Sequence, residues 1–352
     1  MINWLTNELL MRKLSSAIPS VSGLAQPARG SLESGLKNYL EGRNLREKYY
    51  RQKGIRVPAV FSLQMLTACN LRCEGCHVSG GEVPKSFDRV LYHAHLEEME
   101  KMGCRMVLLI GGEPMILADE VFAMAERFPK ITFLVFTNGT LWTSKRLDQL
   151  AEFSNLVPMI SVEGERASTE ERRGNIAFSR CLELQAELSR RHLLHGISVM
   201  VHDRNIEHIR QANFLESLFP SPHHFAFFMA YTARGACASF APVPPQQLEA
   251  FYRELVERRE QRGSPNLFLP HDEMKFLEGC GGARLLVHMN ADHSLALCPY
   301  TYDDVIGRPA AGQIMQTLTE IQAGTGVDRN CSGLNANTPH YRHVIPIHPV
   351  SQ

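Results

Sequence analysis

From about residue 58 the sequence alternates between short apolar or β-branched runs and longer stretches whose apolar residues recur at helical spacing, with six such short runs in succession. This rhythm restricts the fold more than any other feature. Strands separated by helix-length segments do not pair as hairpins; they pair in parallel, through right-handed crossovers. The strand candidates are AVFSLQML, RMVLLI, ITFLVF, VPMISV, HGISVMV and HFAFFMA. Between them lie SFDRVLYHAHLEEMEKMG, ADEVFAMAERFP, TSKRLDQLAEF, NIAFSRCLELQAELSRRH and NIEHIRQANFLESLF. These begin near Ser, Asp, Thr or Asn, whose side chains cap helix N-termini. Six units fall short of the eight that close a barrel, so an open barrel or a doubly wound α/β sheet satisfies the pattern.

After HFAFFMA the rhythm fails. A proline-rich break, APVPPQQ, leads into one more helix, LEAFYRELVERREQR. Beyond about residue 266 the pattern changes to a hairpin, RLLVHMN and SLALCPY around NADHS, followed by a tail bearing proline and histidine. The expected division is a helical N-terminal extension (1–55), an α/β core (56–245) and a smaller C-terminal module (246–352). Hydrophobic residues make up 44% of 352, enough for a large core, and 37 basic residues balance 37 acidic ones. A nucleic-acid binder shows a basic excess, so no such partner is expected. No apolar run reaches the roughly 18 residues that span a bilayer. MINWLTNELLMRKLSS is too charged for a secretion signal, so a cytoplasmic, reducing compartment is expected. Trp4, Leu5, Leu9, Leu10 and Leu14 share a helical face beside Arg12 and Lys13. Such a helix either packs on protein or lies against the inner face of the membrane.

The cysteines carry the chemistry. There are nine, an odd number, and three of them, Cys69, Cys73 and Cys76, fall within TACNLRCEGCH. In a reducing compartment, clustered thiols more often hold metal or do redox chemistry than form disulfides. The cluster follows the first strand, at the end of a parallel sheet where active sites are built. A structural zinc site takes four ligands, often two C-x2-C pairs. Three thiolates in C-x3-C-x2-C instead suit a [4Fe-4S] cluster with one iron open to another ligand.

CNLRCEGC resembles the signature of the radical S-adenosylmethionine (radical SAM) superfamily, and further marks follow in register. IGGEP (Ile110 to Pro114) follows the second strand and TNGT (Thr137 to Thr140) the third; SVEG (Ser161 to Gly164) ends the fourth, ERRGN (Glu171 to Asn175) comes next, and HGISVMV fits the fifth. The resemblance implies a partial (β/α)6 TIM barrel with a small C-terminal auxiliary-cluster domain. It implies that Cys69, Cys73 and Cys76 hold the cluster and that S-adenosylmethionine binds its open iron. Gly111, Gly112, Glu113 and Pro114 would meet the methionine amino group, Ser161 and Glu163 the ribose and methionine parts, and Arg173 (or Arg172) the carboxylate, with Asn138 also at the cofactor. Glycines let backbone approach a ligand closely, and Glu and Arg suit an ammonium and a carboxylate. One departure is Gly75. Many relatives place an aromatic residue there, against the adenine, and here His77 follows the third cysteine instead.

Cys280, Cys298 and Cys331 flank or follow the C-terminal hairpin. They resemble the SPASM or twitch module, which holds an auxiliary [4Fe-4S] cluster, with His340 and His343 as weak candidates for a fourth ligand. Cys104 and Cys181 read as packing residues. Cys237, just past the sixth strand, is the candidate hydrogen-atom donor. The implied enzyme takes one electron from a donor such as flavodoxin or ferredoxin, cleaves S-adenosylmethionine to a 5′-deoxyadenosyl radical, and acts on a lipid or small molecule. The alternatives are a peptide-modifying (RiPP-type) maturase and a non-enzymatic zinc or iron–sulfur scaffold or sensor.

Overall fold

The computed structural model describes residues 24–76, 78, 87–211, 214, 225–232, 240–262, 267–268, 286–299, 303 and 305–323. The first element is helix α1 (Ala28–Lys53). Strand β1 (Val60–Gln64), helix α2 (Arg89–Met102), strand β2 (Met106–Ile110), helix α3 (Ala118–Arg127), strand β3 (Thr132–Thr137) and helix α4 (Ser144–Leu150) then alternate. They are followed by strand β4 (Leu156–Val162), helices α5 (Arg166–Arg173) and α6 (Ala177–Arg190), strand β5 (Gly196–Val201), the single turn α7 (Ile206–Ile209), strand β6 (Phe225–Ala230) and helix α8 (Pro245–Arg262). Short strands β7 (Leu267–Phe268), β8 (Leu286–Met289), β9 (Leu295–Ala296) and β10 (Val305–Gly307) precede helix α9 (Ile314–Ala323). Two helices start on caps that their sequences predict: Asp88 accepts from Leu91 N and Thr143 from Arg146 N, caps worth about 1 kcal/mol each.

Strands β1 to β7 pair in chain order, all parallel, as an α/β open partial barrel that does not close on itself. At the other edge β8 adds in parallel to β1, with Ser62 opposite His288, and β9 and β10 continue antiparallel. The C-terminal hairpin therefore extends the same sheet.

The strands sort their residues by alternation, as a pleated strand must. One set (Phe61, Leu63, Val107, Leu109, Phe133, Val135, Ile160, Val199, Phe228) packs against the surrounding helices. The other forms the inner wall, where Leu108, Leu134, Val157, Met159 and Phe227 cluster with Ala28 of α1. Helix α1 crosses the end of the sheet where strands begin: Arg46 donates to Gly103 O at 2.5 Å, Asn38 to Pro129 O, and Ala28 N to His192 O. The opposite end, where parallel strands finish, is left for the site. Among the described residues no helix is long and apolar enough to cross a membrane. The segment holding Trp4 to Leu14, read as a candidate membrane-contacting helix, lies outside the described residues.

Candidate active site

The loop after β1 carries the three cysteines, and the turn after β2 holds that loop in place. Met65 N donates to Ile110 O, Gly112 N to Leu66 O and Glu113 N to Ala68 O, so strand-like pairing continues past both strands. A Cβ on Gly112 would lie 1.8 Å from Ala68 O, and Gly111 has φ +143°. The two glycines thus give close approach to the cysteine loop, and both also line the pocket.

Glu113 is buried at the head of a 3-10 turn, Pro114–Leu117, in which Pro114 fixes the first backbone angle. Its carboxylate accepts from Met115 N (3.1 Å), Thr137 Oγ1 (2.7 Å) and Asn138 N (2.7 Å). Burial raises its pKa, and those same donors work against the rise. Asn138 in turn reaches the cysteine loop: its amide donates to Asn70 Oδ1 at 2.9 Å and approaches Cys69 Sγ at 3.9 Å. Asn70 donates to Thr140 Oγ1, which donates back to Asn138 Oδ1, and Leu71 N points at Cys69 Sγ from 3.4 Å. Asn70 and Thr140 were not singled out from sequence, although Asn70 stands directly beside the first cysteine.

Glu163 and Arg173, expected to contact a cofactor separately, are joined. Glu163 is fully buried, and its Oε1 accepts from Arg172 Nη1 (2.5 Å) and from Arg173 Nε (2.7 Å) and Nη2 (2.6 Å). Burial pushes this carboxyl up, but the two guanidinium groups outweigh it and hold Glu163 below the usual range. One carboxylate against two arginines leaves a net positive charge, and both arginines line the pocket while Glu163 stands behind them. The same cations oppose the burial that raises the Cys73 thiol.

These parts converge on one cavity at the strand ends. Cys69, Cys73, Cys76, Gly111, Gly112 and Glu113 line it, with Asn138, Ser161 and Arg173. Its inner wall is largely apolar, made by Leu108, Ile110, Phe136, Met200 and Met229, and Pro299 borders it from the C-terminal hairpin. Ser161 and its neighbour Ser198 share a hydrogen bond of 3.2 Å. Gly75 has φ +65°, and a Cβ there would lie 2.9 Å from Tyr231 Oη and 3.1 Å from Phe240 Cδ2. An aromatic side chain at position 75 is therefore excluded by aromatics arriving from the end of β6 and the segment beyond it.

None of the six described cysteines forms a disulfide. Among the described residues no three His, Cys, Asp or Glu side chains gather around a single ion-sized point. Cys298 is buried one residue before Pro299, and Cys104 and Cys181 are buried in the core. Cys237, Cys280, Cys331, His77, His340 and His343 lie outside the described residues.

Comparison with known proteins follows the same segment. Residues 63–214 match the model of the Radical SAM superfamily. Pre-heme d1 synthase of Dinoroseobacter shibae is 29% identical over 142 residues, which is 39% of this chain and 35% of that protein. The sporulation killing factor maturation protein SkfB of Bacillus subtilis is 22% identical over 158 residues, 44% of this chain and 38% of that protein. The matched segment thus spans little more than a third of either relative. Among solved structures, SuiB of Streptococcus suis bound to S-adenosylmethionine superposes with a TM-score of 0.66 at 14% identity, covering 96% of this chain and 82% of SuiB. SuiB bound to its precursor peptide SuiA gives 0.63 at 14% identity, covering 90% and 77%.

Proposed function

We propose, for a chain that carries a radical SAM domain across residues 63–214, that it is an enzyme which cleaves S-adenosylmethionine reductively and modifies a peptide. The observation that carries the chemistry is the single pocket shared by Cys69, Cys73, Cys76, Glu113, Arg172 and Arg173. In this reading the three thiolates hold a [4Fe-4S] cluster. When bound, it supplies the electron that breaks a sulfur–carbon bond of S-adenosylmethionine. The chain's own residues bind and orient. Glu113 Oε2, with one hydrogen bond from Asn138 N, keeps a lone pair for an ammonium group. The net positive charge of Arg172, Arg173 and Glu163 faces a carboxylate. Asn138 and Leu71 N–H place hydrogen-bond donors by Cys69 sulfur, and Ser161 offers a hydroxyl on the pocket wall. The apolar wall keeps water from the reacting groups.

The substrate class rests on the relatives. SkfB is named as a maturation protein of a killing factor, and the SuiB structure holds a precursor peptide. These support a peptide substrate better than the lipid or small molecule that the sequence favoured. A small-molecule substrate remains the second reading, because the match to pre-heme d1 synthase points that way. Cys280, Cys298 and Cys331 are proposed to hold an auxiliary cluster. The support is Cys298's place next to the pocket-lining Pro299.

The test is anaerobic reconstitution with iron and sulfide, then S-adenosylmethionine and a reductant such as reduced flavodoxin. Roughly eight irons per chain and release of 5′-deoxyadenosine are expected, and roughly four irons would mean no auxiliary cluster. Cys73→Ala abolishes the cleavage. Short peptides encoded beside the gene, co-incubated and read by mass spectrometry, acquire a mass change. Unchanged peptides alongside a converted metabolite favour the second reading. One zinc per chain without cleavage refutes the enzyme.

A further inference from the structure

The carboxylate and guanidinium groups that line the pocket stand on its cysteine side. Among the described lining residues they belong to Glu113, Arg172 and Arg173. Glu113 N donates to Ala68 O, beside Cys69, and Arg172 O accepts from Glu74 N, beside Cys73, at 2.8 Å. Their side chains are engaged as well. Glu113 accepts three hydrogen bonds, and the two arginines share Glu163.

The strand segments that line the same pocket carry no charge. Ile110 of β2, Phe136 of β3, Met200 of β5 and Met229 of β6 all face it, and Met200 lies opposite Met229 in the register. All four are partly exposed, whereas Leu109, Val135, Val199 and Phe228, the neighbours that face the helices, are buried. Beneath this layer the wall closes, with Leu108, Leu134, Met159 and Phe227 packed on Ala28. The hydroxyls of Ser161 and Ser198, on β4 and β5, are bonded to each other.

Apolar surface held open to water is unfavourable in proportion to its area, and an apolar group that covers it removes that penalty. An ammonium or carboxylate placed there loses its hydration and meets no partner in this layer. We propose that Ile110, Phe136, Met200 and Met229 seat an uncharged, apolar side chain of the peptide substrate and exclude charged ones. The assignment rests on the peptide reading above. The seat opens into the cavity that holds the three cysteines, so the side chain that fills it is the one brought up to the reacting groups. Two of its four walls are methionines, whose unbranched thioether chains adapt to different shapes. The seat therefore selects a class of side chain, aliphatic or aromatic, and not one residue type.

The test is calorimetry on the full-length reconstituted protein saturated with S-adenosylhomocysteine, so that surface covered by the nucleoside does not enter the result. The probes are three blocked tripeptides, acetyl-Ala-Leu-Ala-amide and its Lys and Glu counterparts. The leucine peptide is expected to bind about tenfold or more tighter than either charged one, as burial of one leucine side chain requires. Met229→Glu is expected to reverse the order and make the lysine peptide the tightest. Equal affinity for the leucine peptide and a charged one in the wild-type protein overturns the proposal, and so does absence of binding by all three. Neither result needs a variant to fold. An order that Met229→Glu leaves unchanged places the peptide elsewhere and overturns it too. The peptide reading fails separately, in the mass-spectrometric assay of encoded peptides. A peptide converted at a charged residue keeps the peptide substrate and loses the seat, whereas unchanged encoded peptides with the tripeptide order intact lose the peptide substrate and keep the seat.

Discussion

A single methyl group at position 112 would stand 1.8 Å from Ala68 O, inside the backbone that delivers Cys69. Backbone cannot rotate away as a side chain can, so Gly112→Ala must displace the cysteine loop. Overpacking of this kind costs at least the upper end of about 1–3 kcal/mol. The iron bound per chain after reconstitution is expected to fall by about half, from roughly eight to roughly four; full iron content in Gly112→Ala would show that the loop has another way to sit. Glu163 is the second pressure point. Its removal in Glu163→Ala leaves two buried guanidinium groups facing each other without their shared carboxylate, a loss of about 3–5 kcal/mol for a broken buried pair. Chemical denaturation reads this directly, and a loss under about 1 kcal/mol would mean that the arginines find other partners. At this scale the sequence identifies residue types and their order: the cysteines, GGEP, SVEG and the arginines are all visible in it. Partners are not visible. Nothing in the spacing of Glu163 and Arg173, ten positions apart, says that they meet each other, because α5 has to fold back against the end of β4 first.

Helix α2 and the C-terminal hairpin meet through a buried aromatic contact. Tyr92 stacks on Phe87, lies 4.3 Å from the His293 ring, and donates to Gln64 O on β1. One turn further along α2, His95 is fully buried 5.9 Å from His293, and neither His95 ring nitrogen has a hydrogen-bond partner. Burial lowers its pKa to about 4, His293 adds to the lowering, and Asp88 works the other way. The folded state therefore resists the proton that the unfolded chain takes up at its ordinary value near 6.5. Above that value both states are neutral and His95 contributes no pH dependence. As the pH falls from about 6.5 towards 4 the unfolded state binds more protons, and stability drops by at most about 1.4 kcal/mol per pH unit. His95→Leu should flatten this part of the stability profile in urea titrations, leaving the slope from other groups; an unchanged slope would assign the acid sensitivity elsewhere. The first six parallel strands and the helices α2, α3, α4, α6 and α8 were legible because each carries its own periodicity, whereas α5 and α9 were not read from the sequence. The seating of β8 beside β1 was not, since Ser62 and His288 are 226 positions apart and no local pattern encodes such a pairing.

At the scale of the whole molecule, the open question is whether the C-terminal hairpin is a module of its own, as the change of rhythm after residue 245 suggests, or part of the barrel's stability. The sheet argues for the second. Strand β8 covers the edge of β1 that would otherwise expose a row of unpaired backbone groups, and its Val287 and Met289 are completely buried in the main core with Phe61 and Leu63. Ala291 N donates to Gln64 Oε1, and Glu98 of α2 accepts from Ile314 N and Met315 N, tying α9 to the first βα unit. Among the described residues these contacts join the hairpin to the barrel core, so the two are expected to melt together. Met289→Ala should therefore destabilise the barrel by about 2–5 kcal/mol, the usual loss for a buried methionine, although the substitution lies outside the radical SAM segment. In a Trp4→Phe background Trp142, whose indole donates to Thr137 Oγ1 beside the site, is the remaining tryptophan and reports on the barrel by fluorescence, while far-ultraviolet circular dichroism reports on all helices and strands. Both probes should shift together in Met289→Ala, with coincident transitions before and after the substitution. A fluorescence midpoint left unmoved, with only part of the dichroism signal melting early, would restore the hairpin to the status of a separate domain.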